Sequence, residues 1–127
     1  MASGHEFEIH PVDGHVEVRL GGVLLAASDR AVALTETGLP TRYYLPREDV
    51  RNDLLQRTDH WTTCPLKGQA SYWSVLADGR VYENLVWSYE TPTPNAAGIA
   101  GFLCFYNEKV ELTFNGHPHH GAAAPLH

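Results

Sequence analysis

The stretch His60-Trp61-Thr62-Thr63-Cys64-Pro65-Leu66-Lys67-Gly68 gathers an imidazole, a thiol and an amine around one proline. Proline suits the second position of a β-turn, which makes Cys64 and Lys67 its first and fourth residues, with Cα atoms under ~7 Å apart. A cation held near sulfur favours thiolate over thiol and raises the nucleophilic fraction at neutral pH. His60, just upstream, could add a second basic group. The pattern points to Cys64 as a nucleophile, Lys67 as its electrostatic support, and His60 or a glutamate as proton carrier. The plainer alternative is that Cys64 is a small core residue, because free cysteine is among the most buried types. Cys104, in an apolar run, reads as packing.

Two glutamates carry a second expectation. Glu36 and Glu83 fall where strand alternation calls for inward apolar residues. A carboxylate facing a β cavity has its pKa raised by desolvation unless a cation pairs with it, and general acids and bases are made this way. Lys67, Arg42 or Arg47 could supply that cation. Either glutamate could instead lie at a strand end or on the solvent face. The segment "RYYLPREDVR" sets Arg42, Arg47 and Arg51 beside Tyr43 and Tyr44. Such a group could grip a carboxylate or phosphate through arginine forks. The same arginines could equally pair with Glu48, Asp49 and Asp53. Tyr43, Tyr72, Trp73 and Trp87 are the expected walls of a ligand pocket, with Arg42 and Arg47 at its edge.

No metal or other cofactor is expected. A structural zinc site wants four Cys or His ligands, usually with a close cysteine pair, and none occurs here. His60 and Cys64 offer two ligands that nothing completes, and His117, His119 and His120 fall in a polar tail. No phosphate loop, dinucleotide fingerprint or nucleophile elbow is present.

The elements that must position these residues are mostly strands. Val16, Val18 and Leu20 alternate with polar neighbours, and Gly21-Gly22 then predicts a hairpin into Val23-Leu24-Leu25, since a primed turn needs positive φ at both positions. Further strands are expected over 30–36 and 42–45, with Gly38-Leu39-Pro40 turning the chain between them. Asp78-Gly79 predicts a second hairpin that pairs Leu76 with Val81, Ser74 with Glu83, Tyr72 with Leu85 and Ala70 with Trp87. Pro46 with Glu48 and Asp49 suits a short helix near 47–55. Thr93 as N-cap and Pro94 at the first position open a helix near 94–105, where Ile99, Phe102, Leu103 and Tyr106 form an apolar stripe. Val110, Leu112 and Phe114 alternate in a last strand.

The expected fold is mainly β (α+β by count): a single curved antiparallel sheet or partly open barrel, with a tent-like sheet as a variant. A flexible lead-in covers 1–13, one domain covers 14–114, and a disordered His-containing tail covers 115–127. A formal charge of −6 over 127 residues argues against duplex nucleic acid and against an anionic membrane surface as partners. No apolar run approaches the ~20 residues of a membrane span, and the first residues lack the features of a signal peptide. Two cysteines without a secretion signal suggest reduced thiols in the cytoplasm. The expected partner is a small-molecule ligand or substrate, and self-association as a homodimer is the other expectation.

Taken in order, "GGVLLAASDRAVALTETGLPTRYYLPREDVR", "CPLKGQASYWSV" and "LVWSYETP" resemble the bacterial domain-of-unknown-function family 427, over roughly residues 14 to 114. Its members are small, mostly β single domains, sometimes labelled nucleotidyltransferase-like. The matching motif positions are Glu36, Gly38, Tyr43, Tyr44, Pro46, Cys64, Pro65, Lys67, Gly68, Tyr72, Trp73, Trp87 and Tyr89. Nucleotidyl transfer needs carboxylates for Mg²⁺ and a phosphate cradle. Asp49 and Asp53 are the one close aspartate pair in an expected helix, with no glycine loop beside them. Kinship to the zinc-bearing tent-like folds, whose aromatic pockets bind ligands, would here be kinship without the metal. The sequence thus leaves two functions open: an enzyme using acid–base or thiolate chemistry on a small organic substrate, or a non-catalytic module binding a ligand or peptide.

Overall fold

A computed structural model describes residues 6–119. Eleven strands run β1 (Phe7–Pro11), β2 (Val16–Leu20), β3 (Val23–Ser28), β4 (Val32–Glu36), β5 (Leu39–Leu45), β6 (Leu55–Cys64), β7 (Gly68–Ala77), β8 (Arg80–Ser88), β9 (Leu103–Phe105), β10 (Glu111–Phe114) and β11 (His117–His119). They form a seven-stranded antiparallel sheet, β1-β4-β5-β9-β8-β7-β6, and a four-stranded one, β11-β10-β2-β3. The fold is mainly β, as expected, but in two sheets rather than one. Both hairpin turns are as the sequence dictates: Gly21 (φ 57°) with Gly22 (φ 82°), and Asp78 (φ 54°) with Gly79 (φ 72°), take positive φ.

The large sheet is buried on both faces. One face packs on the small sheet through Trp73, Val75, Val86, Leu103 and Phe105, against Val16, Val18 and Leu25. The other carries Leu34, Tyr44, Ala70, Tyr72, Trp87 and Cys104. Neighbours in sequence therefore alternate between two cores: Tyr72 and Trp73, Val86 and Trp87, Cys104 and Phe105. This is why the central strands read as continuous apolar runs instead of apolar–polar alternation.

The expected helices are present only as short 3-10 turns. Near 47–55 there are two single 3-10 turns, Arg47–Asp49 and Asn52–Leu54. Val50 between them is drawn into a β-bridge with Ala26. The helix expected near 94–105 is a kinked 3-10 segment, Pro94–Ile99, followed by β9. Gly101 takes φ 76°, which ends any helix, and its amide donates to the Tyr89 carbonyl. Ile99 fills the second core while Leu103 enters the first, so the helical stripe was a turn and a strand feeding two cores. The described residues contain no α-helix, and the α+β count is corrected accordingly.

The expected lead-in and tail contribute strands as well. Phe7–Pro11 pairs with β4 at the edge of the large sheet, and His117–His119 pairs with β10. Residues 1–5 and 120–127, including His120, lie outside the described residues.

The β7–β8 hairpin starts in the expected register, Leu76 with Val81, and then shifts between Trp73 and Val75. Two extra β8 residues are accommodated there, with Asn84 at φ 52°. Tyr72 consequently faces Trp87 instead of Leu85. Leu76 and Val81, expected on an apolar face, are 38% and 60% exposed beyond the end of the core.

Candidate functional site

The second face of the large sheet holds a cavity of about 290 Å³. Period-2 geometry explains its lining. Leu34 and Glu36 come from β4, Pro40, Arg42 and Tyr44 from β5, Tyr72 from β7 and Trp87 from β8, with Tyr89 just past the end of β8. Cys64 ends β6, Lys67 lies in the turn to β7, and Tyr106 follows β9.

Lys67 and Glu36 reveal how strongly the sheet curls. Four strand spacings separate β4 from β7, which in a flat sheet would be about 19 Å. Yet Lys67 Nζ donates to Glu36 Oε1 at 2.6 Å, with side chains only 6% and 7% exposed. The ammonium also lies 5.3 Å from the Phe7 ring centroid, on β1, and 6.0 Å from that of Tyr89. The sheet is not a closed barrel, but side chains cross its opening.

The turn that delivers Lys67 is the one the proline implied. The Lys67 amide donates to the Cys64 carbonyl at 3.1 Å. It is clamped from outside: the Thr93 amide donates to the Lys67 carbonyl at 2.9 Å, and the Thr93 hydroxyl to the Leu66 carbonyl at 2.8 Å. Thr93 thus spends its hydroxyl on the turn rather than on capping the segment after it. Gly68 (φ 117°) packs so closely on 91–93 that a Cβ would lie 3.3 Å from the Pro92 Cα.

Arg42 is the other cation of the cavity. It donates to Glu108 Oε1 at 2.7 Å and to the Asn107 amide oxygen, and lies 5.3 and 5.4 Å from the ring centroids of Trp87 and Tyr106. The hydrogen bond from Arg42 holds the Glu108 carboxyl below the usual carboxylate range. Trp87 Nε1 donates to the Tyr44 hydroxyl at 3.0 Å, and the Thr62 and Tyr72 hydroxyls are 3.0 Å apart. Burial pushes the Tyr44 and Tyr89 phenols well above their ordinary range, and the Tyr106 phenol up to about 12. These phenols stay neutral at physiological pH. Burial likewise pushes up the Cys104 thiol.

Of the residues expected from sequence, Cys64, Lys67, Glu36, Arg42, Tyr72 and Trp87 line this one cavity. The others do not. Tyr43 is on the opposite face, edge-on to Phe114 with centroids 4.9 Å apart. Trp73 is in the inter-sheet core, with the Arg47 and Arg57 guanidiniums each 5.0 Å from its ring centroid. Arg47 pairs with Glu90. Glu83 is exposed, because the register shift begins beside it. His60 is exposed and sets its ring 4.5 Å from that of Tyr72 without entering the lining. Tyr44, Tyr89 and Tyr106 were missed as wall residues. Alternation from Arg42 and from Trp87 would have found the first two; Tyr106 was hidden by the helix reading.

Asp49 accepts from the Ser28 hydroxyl at 2.7 Å and faces Arg30, while Asp53 is paired with Arg51 at 2.8 Å. Among the described residues no three His, Cys, Asp or Glu side chains converge as a metal-binding group. No helix among them is long and apolar enough to cross a membrane. A family model described as Domain of unknown function (DUF427) matches residues 8–116. Comparison with curated proteins finds no match.

Proposed function

The chain belongs to the DUF427 family, whose description assigns no activity, and we propose that its curled sheet is a small-molecule receptor. The ligand would sit among Tyr72, Trp87 and the neighbouring tyrosines, with its polar end toward Lys67, Glu36 and Cys64. The observation that carries this reading is the Lys67–Glu36 pair, buried in a cavity wall. Taking two charges out of water costs several kcal/mol each, and an apolar pair of similar volume often stabilises a fold as well or better. A charge pair kept in the wall of an aromatic cavity is better explained by what the cavity holds. The cavity volume is at the lower end of ligand pockets, which favours a compact organic molecule over a peptide.

One observation favours catalysis as a second reading. Cys64, half-buried and a free thiol, lines the same cavity as the ammonium and carboxylate. A nucleophile and a proton carrier would then face one bound molecule. Nucleotidyl transfer gains no support, since Asp49 and Asp53 are engaged by Ser28, Arg30 and Arg51 away from the cavity lining. A reducing compartment such as the cytoplasm suits the two free thiols.

The test is a thermal-shift screen of compact organic compounds, repeated on Trp87→Leu and Cys64→Ser. A receptor shows compounds whose shifts vanish in the Trp87 variant and persist in the Cys64 variant. An enzyme shows in addition turnover that the serine variant loses. Shifts indifferent to Trp87 would place the binding elsewhere and overturn the proposal.

A further inference from the structure

We infer the chemical class of the ligand: a flat, uncharged molecule carrying a carbonyl oxygen that accepts from Lys67. This rests on the receptor reading above and goes beyond it by reading the donors and charges of the wall. An ammonium has three N–H donors and no acceptor. Among the described residues, Glu36 Oε1 is the one oxygen that accepts from Lys67 Nζ, while Lys67 is 5% exposed. The other close neighbours of the ammonium are the faces of Phe7 and Tyr89, which attract a cation but do not replace an oxygen acceptor. Buried donors are normally satisfied, and here the unspent ones belong to a cavity wall. An acceptor oxygen on a ligand completes the set.

Charge decides which oxygen. Among the described residues each cation of the lining already has a carboxylate partner, Glu36 for Lys67 and Glu108 for Arg42. A carboxylate would bring a second anion against Glu36 in a place poor in water, and a cationic ligand would meet Lys67 and Arg42. A neutral carbonyl supplies the acceptor and leaves those pairs intact. The lining of Trp87, Tyr72 and the neighbouring tyrosines favours a flat apolar body behind it.

Four probes of matched shape separate these terms: acetophenone, ethylbenzene, benzoate and benzylamine. Each is titrated into the full chain and followed at the Trp87 indole N–H and the Gly68 amide by heteronuclear NMR. The expected result is that acetophenone binds at least tenfold tighter than ethylbenzene, benzoate or benzylamine. The paired substitution Lys67→Met/Glu36→Leu, which removes both charges together and keeps the fold, brings acetophenone down to the level of ethylbenzene. If ethylbenzene matches acetophenone on the wild type, or benzoate exceeds it, the carbonyl inference is overturned while the receptor reading stands. If no probe perturbs Trp87, both fall.

Discussion

Removing the amine of Lys67 should cost more than removing the whole ion pair. In Lys67→Met the stem between Phe7 and Tyr89 is largely kept, but the Glu36 carboxylate loses its ammonium while it remains buried. At 2.6 Å and an effective dielectric near 20, the Coulomb attraction is about 6 kcal/mol. Desolvation of two ions, several kcal/mol each, offsets most of it. Breaking the pair from one side therefore exposes a penalty of about 3–5 kcal/mol. For a chain of this length that lowers Tm by about 10–20 °C. Glu36→Leu alone should cost a similar amount. The double variant Lys67→Met/Glu36→Leu should return to within about 1–2 kcal/mol of wild type, since both penalties disappear together. Urea unfolding at fixed neutral pH, followed by circular dichroism, measures all four states of the cycle. Singles costing under about 1 kcal/mol, or a double variant as unstable as the sum of its singles, would refute the reasoning, because contacting charges must couple.

Three further outcomes follow from other parts of the structure. Iodoacetamide should label Cys64 in the folded protein and Cys104 only after unfolding, because Cys104 is fully buried with its thiol pKa raised; mass spectrometry of brief reactions at rising pH reads this. Gly68→Ala should destabilise by about 1–3 kcal/mol through its positive φ and the approach to Pro92, and should speed Cys64 labelling as the turn lifts off 91–93. His15 has its pKa raised by hydrogen bonds to Asp29 at 2.7 Å and Glu17 at 3.0 Å. Its contribution to stability is full below the unfolded value of about 6.5 and is lost as pH rises through the higher folded value, so the Tm advantage over His15→Gln should shrink with rising pH and not with falling pH.

Local rules made much of this molecule legible. Gly21-Gly22 and Asp78-Gly79 permit the tight turns they form, and alternation placed Tyr72 and Trp87 on one face. That assignment survived the β8 irregularity because two added residues preserve the parity of a strand. The same irregularity carried Glu83 out to solvent, and no local signal announces it. The stretch from Ile99 to Tyr106 misled because β9 is only three residues long and serves two cores, which mimics helical spacing. Pro65 disclosed the Cys64–Lys67 turn. The bond from Lys67 to Glu36 was one of several pairings the charges allowed. It depends on how far the sheet curls, and curl is a property of seven strands together. Tyr43 and Trp73 were drawn into the expected pocket because they adjoin residues that line the cavity, yet in a sheet buried on both faces a neighbour in sequence is an opposite in space.

That curl has a mechanical consequence. Within the large sheet, neighbouring strands are joined by ladders of backbone hydrogen bonds, which yield cooperatively. Across its opening, β1 and β4 meet the β6–β7 turn through the Lys67–Glu36 pair and the packing of Phe7 on the ammonium, and Ile9 packs against the 94–99 segment beside Gly98. Such fastenings release one at a time. The protein therefore has a seam, along which local opening breaks fewer contacts than global unfolding. Breathing along the seam would uncover the aromatic cavity while the inter-sheet core stays intact. The Lys67–Glu36 pair thus fastens the opening of the cavity as well as contributing to the fold, while the inter-sheet core is held by contacts of its own.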